Sequence, residues 1–209
     1  MLLLCVSLFL LYPWSGISQS LFQALERVSW KKSSRGIPDT NTIVRALAVQ
    51  GKALYVAIFG AGVFSSIDNG VTWKPASKGL KNLDIWSLAM KGSVLYAATS
   101  KGLFYSTDNA QTWKSSTVST QVRSIAFLDK AILLGSLDSI LVSTDNQKTW
   151  NIAYRGTNNW FIKSLIVNNG VILAGTSGGI LRSLDGGVSW RAANEGFPYP
   201  LDIWALVVN

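Results

Sequence analysis

Side chains suited to acid–base or nucleophilic chemistry are scarce in this 209-residue sequence. It contains no histidine, one cysteine (Cys5) and two glutamates, Glu26 and Glu195. Imidazole bases, Ser-His and Cys-His nucleophile pairs and histidine metal sites are therefore excluded, and we expect neither a metal site nor a cofactor. A glycosidase needs two carboxyl groups flanking the scissile bond. The best candidates are Asp84 and Asp202, but both occur in the same sequence, LDIW, so repetition explains them as well as catalysis does.

A second set of side chains is suited to binding. Five similar segments, VRALAV, IWSLAM, VRSIAF, IKSLIV and IWALVV, carry a cation or an indole at their second position. These residues are Arg45, Trp86, Arg123, Lys163 and Trp204. If the segments are the innermost strands of neighbouring sheets, the five side chains ring the mouth of a channel, where cations and indoles can bind a carboxylate or a sugar. The alternative is that these long side chains only cover apolar strand edges.

The elements that position these residues are repeated units of about 40 residues. Four tryptophans mark the period, with spacings of 40, 37 and 40 residues: Trp73, Trp113, Trp150 and Trp190. Each unit contains four short apolar stretches separated by Gly, Asn, Lys and Asp turns, and this is the pattern of one β-propeller blade. We predict an all-β fold, a partial β-propeller of about four four-stranded blades and the first strand of another at residues 202–208. The predicted blades cover residues 43–78, 84–117, 121–155 and 161–194.

Each unit also contains a near-copy of one eight-residue motif: SIDNGVTW, STDNAQTW, STDNQKTW and SLDGGVSW. At the turn between the third and fourth strands, the Asp can accept hydrogen bonds from backbone N–H groups, and the Ser and Thr hydroxyls can tie the flanking strands. The glycine suits a positive φ, although Ala110 and Gln147 replace it in the middle copies. We predict a structural role for the motif residues Ser66, Asp68, Gly70, Thr72, Trp73, Ser106, Asp108, Thr112, Trp113, Ser143, Asp145, Thr149, Trp150, Ser183, Asp185, Gly187, Ser189 and Trp190.

The pattern S-x-D-x-G-x-T-W resembles the Asp-box, also called the bacterial neuraminidase repeat. The first copy matches in full, the fourth has Ser for Thr, and the middle two lack only the glycine. The resemblance covers residues 43–209. It implies a propeller of the sialidase-like, photosystem II assembly factor-like and sortilin-like group, in which the boxes lie at the blade periphery, away from the active face.

The resemblance to sialidases can be tested on the residues that such an enzyme requires: an arginine triad, a Tyr–Glu nucleophile pair and an acid/base Asp. The segment RGIPD, residues 35–39, is similar to the Arg-Ile-Pro motif that precedes the first box, but Gly36 interrupts it. We therefore expect a surface loop there and favour a protein without enzymatic activity. The preferred function is a non-catalytic, exported propeller that acts as a binding, scaffold or assembly-factor-like module through its channel face. The alternative is a fragment of a sialidase-like or other glycoside hydrolase propeller.

The first 20 residues have the features of an export signal. An apolar run at residues 2–11, too short for a membrane span, is followed by small residues that predict cleavage near Ser18 or Ser20, although no basic residue precedes the run. We predict a signal peptide over 1–20, a lead-in with a possible closing strand over 21–42, and blades over 43–209. The protein is then periplasmic, extracellular or thylakoid-lumen-like, with no transmembrane span after cleavage; the alternative is a misassigned start.

Charge and length bear on the partners. The net charge of +8 and the pI near 9.7 favour an acidic protein, peptide or glycan, whereas nucleic acid is not expected because there is no Lys/Arg run or recognition motif. The alternative is a charge that only maintains solubility.

A closed ring of six to eight blades needs about 240 to 320 residues at this period. We therefore expect a fragment that self-associates through an uncovered blade face; the alternative is a small closed ring.

Overall fold

Sixteen β-strands in four sheets make up the described part of the chain. The computed structural model describes residues 32–38, 43–156, 161–198 and 201–207. The signal peptide predicted over 1–20 and most of the lead-in predicted over 21–42, including its possible closing strand, lie outside these residues. The described residues contain no helix that could cross a membrane.

Each sheet is one blade of four antiparallel strands, paired in chain order. Blade one contains β1 (Val44–Gln50), β2 (Ala53–Ile58), β3 (Gly62–Ser66) and β4 (Lys74–Pro75). Blade two contains β5 (Ile85–Lys91), β6 (Val94–Thr99), β7 (Gly102–Ser106) and β8 (Lys114–Ser115). Blade three contains β9 (Ser124–Leu128), β10 (Ala131–Gly135), β11 (Ser139–Ser143) and β12 (Asn151–Arg155). Blade four contains β13 (Ile162–Asn168), β14 (Val171–Thr176), β15 (Gly179–Ser183) and β16 (Arg191–Ala192). The all-β propeller fold predicted from the repeat is confirmed.

Most of the hydrophobic core lies between successive blades, although one smaller cluster lies within blade one. Separate buried clusters join blades one and two, two and three, and three and four. The second strand of each blade is buried on both faces and needs small residues where the sheets approach. A Cβ added to Gly135 would lie 2.6 Å from Ile162 Cγ2, and one added to Gly175 would lie 2.7 Å from Ile203 Cγ2. The repeated small residues are therefore required by inter-blade packing.

The four eight-residue turns share one hydrogen-bond pattern. In the first, Ser66 Oγ donates to Asp68 Oδ1 (2.7 Å) and accepts from Gly70 N–H (3.0 Å). Thr72 donates its N–H to Asp68 Oδ1 (2.9 Å) and its hydroxyl to Asp68 Oδ2 (2.5 Å). The same bonds recur in the other three copies. The carboxylate thus closes the turn between the third and fourth strands.

The glycine position of this turn is left-handed in every copy. Gly70 and Gly187 have φ of 82° and 94°, and their counterparts Ala110 and Gln147 have φ of 63° and 70°. A side chain in this region costs on the order of 1 kcal/mol. Ala110 is almost fully buried and fills the interface between blades one and two, whereas Gln147 remains partly exposed.

A second repeated turn, not recognised in the sequence, attaches one blade to the next. Trp73 N–H donates to Arg35 O (2.8 Å), and Trp113 N–H donates in the same way to Lys78 O (2.9 Å). In each turn a glycine of positive φ lies against the tryptophan carbonyl: a Cβ added at Gly79 would be only 2.5 Å from Trp113 O. These contacts explain why the turn at 34–37 has the same shape as the turn at 77–80.

Residues 201–207, expected to begin another blade, do not form a strand. Ile203 N–H donates to Thr176 O (2.9 Å), just as Val122 N–H donates to Thr99 O (2.9 Å) before blade three. The residues that follow Ile203 pair with no second strand in the described part of the chain. A single inter-blade hydrogen bond is too little to define a strand, so this part of the prediction is not realised.

Candidate ligand-binding site

The predicted binding residues lie where the innermost strands begin, and β-bulges position three of them. The pairing register of the first and second strands shifts by one residue in blades one, two and four, and the skipped residues are Arg45, Trp86 and Lys163. A bulge leaves one residue unpaired and redirects its side chain. In blade three, Arg123 directly precedes β9 and donates its N–H to Gly135 O (2.8 Å). Trp204 lies in the segment 201–207, which has no strand.

Five side chains from all four blades form one alternating stack of cations and rings. Arg45 Cζ lies 4.7 Å from the centroid of the Trp86 ring, and Arg123 Cζ lies 4.9 Å from the same centroid. Arg45 Cζ is also 5.1 Å from the Phe59 ring, and Arg123 Cζ is 5.2 Å from the Phe161 ring. We call these five residues the arginine–tryptophan stack. Cation–π contacts hold the guanidinium groups in place without neutralising them.

The other two predicted residues form a separate, neutralised group. Lys163 Nζ lies 3.6 Å from the centroid of the Trp204 ring and 2.5 Å from Asp202 Oδ1. The Trp204 indole N–H donates to Asp202 Oδ2 (2.9 Å). The Lys163 charge is therefore balanced by a carboxylate within the chain. The structure thus divides the five predicted residues into a stack with Arg45, Trp86 and Arg123 and a pair with Lys163 and Trp204.

The stack has positive charge and hydrogen-bond donors that the described residues do not satisfy. Within these residues, neither Arg45 nor Arg123 forms an ion pair. The Nε of Arg123 and the Nε1 of Trp86 are buried without a hydrogen-bond partner. Burial and the nearby Arg45 charge both lower the pKa of Arg123, but a guanidinium remains protonated. An anion bound beside the two guanidinium groups would relieve the repulsion between them.

The two carboxylates considered for catalysis have other partners. Asp84 Oδ2 accepts a long hydrogen bond from Ser100 Oγ (3.4 Å), and Asp202 is held by Lys163 and Trp204. Asp202 therefore already takes part in an ion pair within the chain. Nor do the described residues contain a group of three metal-ligating side chains.

Phe59 and Phe161 were not among the binding residues predicted by aligning the repeats of this sequence. Phe59 directly follows β2 and Phe161 directly precedes β13. The residues equivalent to Phe59 after β6 and β14 are Ser100 and Ser177, so the ring of Phe59 is not repeated at its position in those blades. Residues that differ between copies do not stand out in a repeat pattern. The only signal in the sequence was an aromatic residue next to a strand where the equivalent strands have a serine or another non-aromatic residue.

The sequence matches the model of the DUF6242 beta propeller domain over residues 26–161, more than half of the chain. The chain belongs to this family. No curated protein matches the sequence.

Several solved structures are similar to this DUF6242 beta propeller domain in fold. An ancestral GH74 enzyme matches with a TM-score of 0.66 and 17% identity, over 78% of this chain and 25% of that one. The extracellular domain of the one component system BT4673 from B. thetaiotaomicron matches with a TM-score of 0.65 and 20% identity, over 80% of this chain and 25% of that one. A structure of YCF48 bound to D1 peptide matches with a TM-score of 0.56 and 14% identity, over 74% of this chain and 54% of that one.

The family model and these matches confirm the predicted β-propeller fold. At such low identities they establish the fold alone. The DUF6242 chain spans about a quarter of the length of the first two proteins.

Proposed function

We propose that this DUF6242 propeller is a non-catalytic binding domain of an exported protein and that it binds an acidic peptide segment through the arginine–tryptophan stack. The observation that carries the proposal is the pair of guanidinium groups, Arg45 and Arg123, that contact one indole and have no carboxylate partner among the described residues. Arginine is over-represented where a protein binds carboxylates, because its guanidinium group matches the two carboxylate oxygens.

The surroundings of these cations favour a peptide as the ligand. Asp and Glu side chains supply carboxylates for the guanidinium groups, while peptide carbonyls can accept from the buried donors of Trp86 and Arg123. Phe59 and Phe161 are 39% and 40% exposed and offer apolar surface beside the charges. YCF48, a propeller of similar fold, has been captured with a peptide, which supports peptide binding as a use of such a scaffold.

Lys163 and Trp204 are expected to contribute less, because Asp202 already neutralises the lysine. Glycoside hydrolase activity is not favoured, because the similarity to the GH74 enzyme is limited to the fold and Asp202 forms an ion pair with Lys163.

The binding proposal is tested by titrating the peptide acetyl-(Glu)₆-amide into the 209-residue chain by calorimetry, with acetyl-(Gln)₆-amide as the neutral comparison. Replacing both stack arginines, Arg45→Ala with Arg123→Ala, should weaken binding at least about tenfold, since each charged hydrogen bond is worth about 1.5–3 kcal/mol. It should also reduce the salt dependence. Arg182→Ala with Arg191→Ala, on the outer strands of blade four, removes the same charge and should change the affinity less than about twofold. Equal losses in the two double variants would show that net charge alone attracts the peptide.

The export part of the proposal concerns the N-terminal residues. Expression of the whole chain in a bacterium with a general secretion pathway should give a product cleaved near Ser18 or Ser20. Intact-mass spectrometry locates the cleavage point. A product that retains Met1 and stays in the cytoplasm would contradict the export prediction without affecting the peptide-binding test.

A further inference from the structure

A cleft of about 230 Å³ opens between blades two and three, beside their eight-residue turns. We call it the inter-blade cleft. Its wall is formed mainly by aromatic, hydroxyl and amide side chains, including Tyr96, Tyr105, Thr107, Ser116, Asn146 and Gln147.

The cleft lies where an inter-blade contact found in the preceding pair of blades is missing. Between blades one and two, Trp113 Nε1 donates to the carbonyl oxygen of Ala76 (2.7 Å). The residues equivalent by repeat to Trp113 and Ala76 are Trp150 and Ser116 in the next pair of blades. There the Trp150 Nε1 is buried and has no partner in the described part of the chain.

Three buried polar atoms of this interface lack hydrogen bonds. Besides Trp150 Nε1, they are Ser116 Oγ and Gln147 Oε1, and both of these residues line the cleft. Buried polar atoms are seldom left unpaired, because desolvation is then uncompensated.

Gln147 occupies a backbone position that suits glycine. Its φ is 70°, in the left-handed region where Gly70 and Gly187 stand in the outer two copies. The turn itself does not require an amide there, since the other three copies have Gly or Ala. A strained residue whose side chain faces a cleft is a reason to look for a ligand.

One ring of the aromatic wall, that of Tyr105, is also particular to this interface. Tyr96 and Tyr105 are cross-strand neighbours with ring centroids 6.5 Å apart. The residues equivalent to Tyr105 in the other blades are Ser65, Val142 and Arg182, so the blade architecture needs no ring at this position. Neither tyrosine hydroxyl has a hydrogen bond within the described ranges.

We propose that the inter-blade cleft binds one sugar ring of a neutral glycan, independently of the arginine–tryptophan stack. The partly exposed ring of Tyr105, backed by the buried Tyr96, offers apolar surface to one face of the sugar ring, and the hydroxyl and amide side chains match its hydroxyl groups. No carboxylate lines this cleft, and Lys148 is its only charged lining residue among those described, so a charged ligand is not favoured. The volume suits a ligand smaller than the drug-sized molecules that fill pockets of about 300–1,000 Å³. An adjoining cleft of about 340 Å³, which shares Tyr96 and Asn146, leaves room for a neighbouring sugar unit.

The test uses saturation-transfer difference NMR with the 209-residue chain and four probes, the methyl glycosides of glucose, galactose, mannose and N-acetylglucosamine. At least one should receive saturation. Gln147→Gly and Tyr105→Ser install residues that other blades carry at the same positions, so both variants should fold. Each should weaken binding at least about fivefold. Ala110→Gly makes a comparable backbone change in blade two and should leave glycoside binding unchanged.

Two results would overturn the proposal. One is the absence of saturation transfer to all four glycosides, which is the behaviour of a cleft filled by water alone. The other is binding that survives in both cleft variants but is lost in the Arg45→Ala, Arg123→Ala double variant, which would assign the sugar to the stack. Binding retained in that double variant and lost in Gln147→Gly supports the inter-blade cleft whatever the outcome of the peptide experiment.

Discussion

Individual residues of the eight-residue turns have the clearest physical roles. The box aspartates Asp68, Asp108, Asp145 and Asp185 each accept bonds from a nearby hydroxyl and from backbone N–H, and these bonds lower the pKa of each from 3.8 to about 2. The largest cause in each case is the hydroxyl of the Thr or Ser four residues later. Such an aspartate stabilises the fold only in its charged form.

Acid should therefore destabilise the protein in a defined interval. The folded pKa lies near 2 and the ordinary value is 3.8, so the contribution is complete above about pH 4 and is lost as the pH falls toward 2. Thr112→Val removes the main donor to Asp108 and should reduce this pH dependence, whereas Thr107→Val, in the same turn, should preserve it. Urea unfolding between pH 2 and 6 measures the difference. Identical slopes for both variants and the unmodified chain would contradict the assignment.

At the scale of strands and turns, small irregularities place the functional side chains. The bulges at Arg45, Trp86 and Lys163 occur at the entrance of three innermost strands. At the outer edge, β4, β8 and β16 have only two residues each and begin with Lys74, Lys114 and Arg191. Short edge strands with cationic side chains resist pairing with other chains. Three of the four blades thus have a bulge at the inner rim, and three have a short strand that begins with a cation at the outer edge.

The turn that attaches blade two to blade one contains Gly79, and the equivalent turn after blade four contains Gly196. Gly79 and Gly196 have similar φ, 91° and 85°, but only Gly79 is in contact with a neighbouring blade: its added Cβ would meet Trp113 O at 2.5 Å, and that of Gly196 meets nothing within 4 Å. Gly196→Ala should cost on the order of 1 kcal/mol for the backbone alone. Gly79→Ala should cost about 1–3 kcal/mol more because of the clash. Chemical denaturation of the two variants measures both values, and equal costs would mean that the inter-blade contact is absent in solution.

Across the whole described structure, equivalent positions are buried unequally. Leu47, Leu88 and Leu165 occupy the same column of the repeat, yet Leu47 is 67% exposed and the other two are 7% and 6% exposed. The difference follows from packing, since Leu88 and Leu165 face a preceding blade. Val49 is similarly exposed, at 61%. This face of blade one is the apolar surface through which self-association is expected.

This difference in burial predicts that a Leu→Ala substitution lowers the free energy of unfolding by different amounts at the two positions. Leu88→Ala should destabilise the 209-residue chain by about 2–5 kcal/mol because it opens a cavity between blades. Leu47→Ala should change stability by less than about 0.5 kcal/mol, as surface substitutions usually do. Urea unfolding at low protein concentration gives both values. A large cost at Leu47 that grows with protein concentration would instead show that another copy covers this face.

The sequence by itself determined the fold class, the number of complete blades and the turn motif. These follow from local patterns: apolar strands of fixed order, turn residues at fixed offsets, and Trp73, Trp113, Trp150 and Trp190 in phase. Because every blade repeats the same pattern, an error in one copy is corrected by the others. The column that holds Arg45, Trp86 and Arg123 was also recognisable, since it occupies one position in each innermost strand.

Only the tertiary structure decided which of those side chains act together. The choice between the stack and the Lys163–Asp202 pair depends on distances between residues about 40 positions apart. Phe59 and Phe161 join the stack, and Gln147 lines a cleft, because of inter-blade packing at positions where the copies differ in sequence. A repeated sequence specifies what its copies share, whereas a binding site is built from their differences, and the contacts between those differences exist only once the blades have packed.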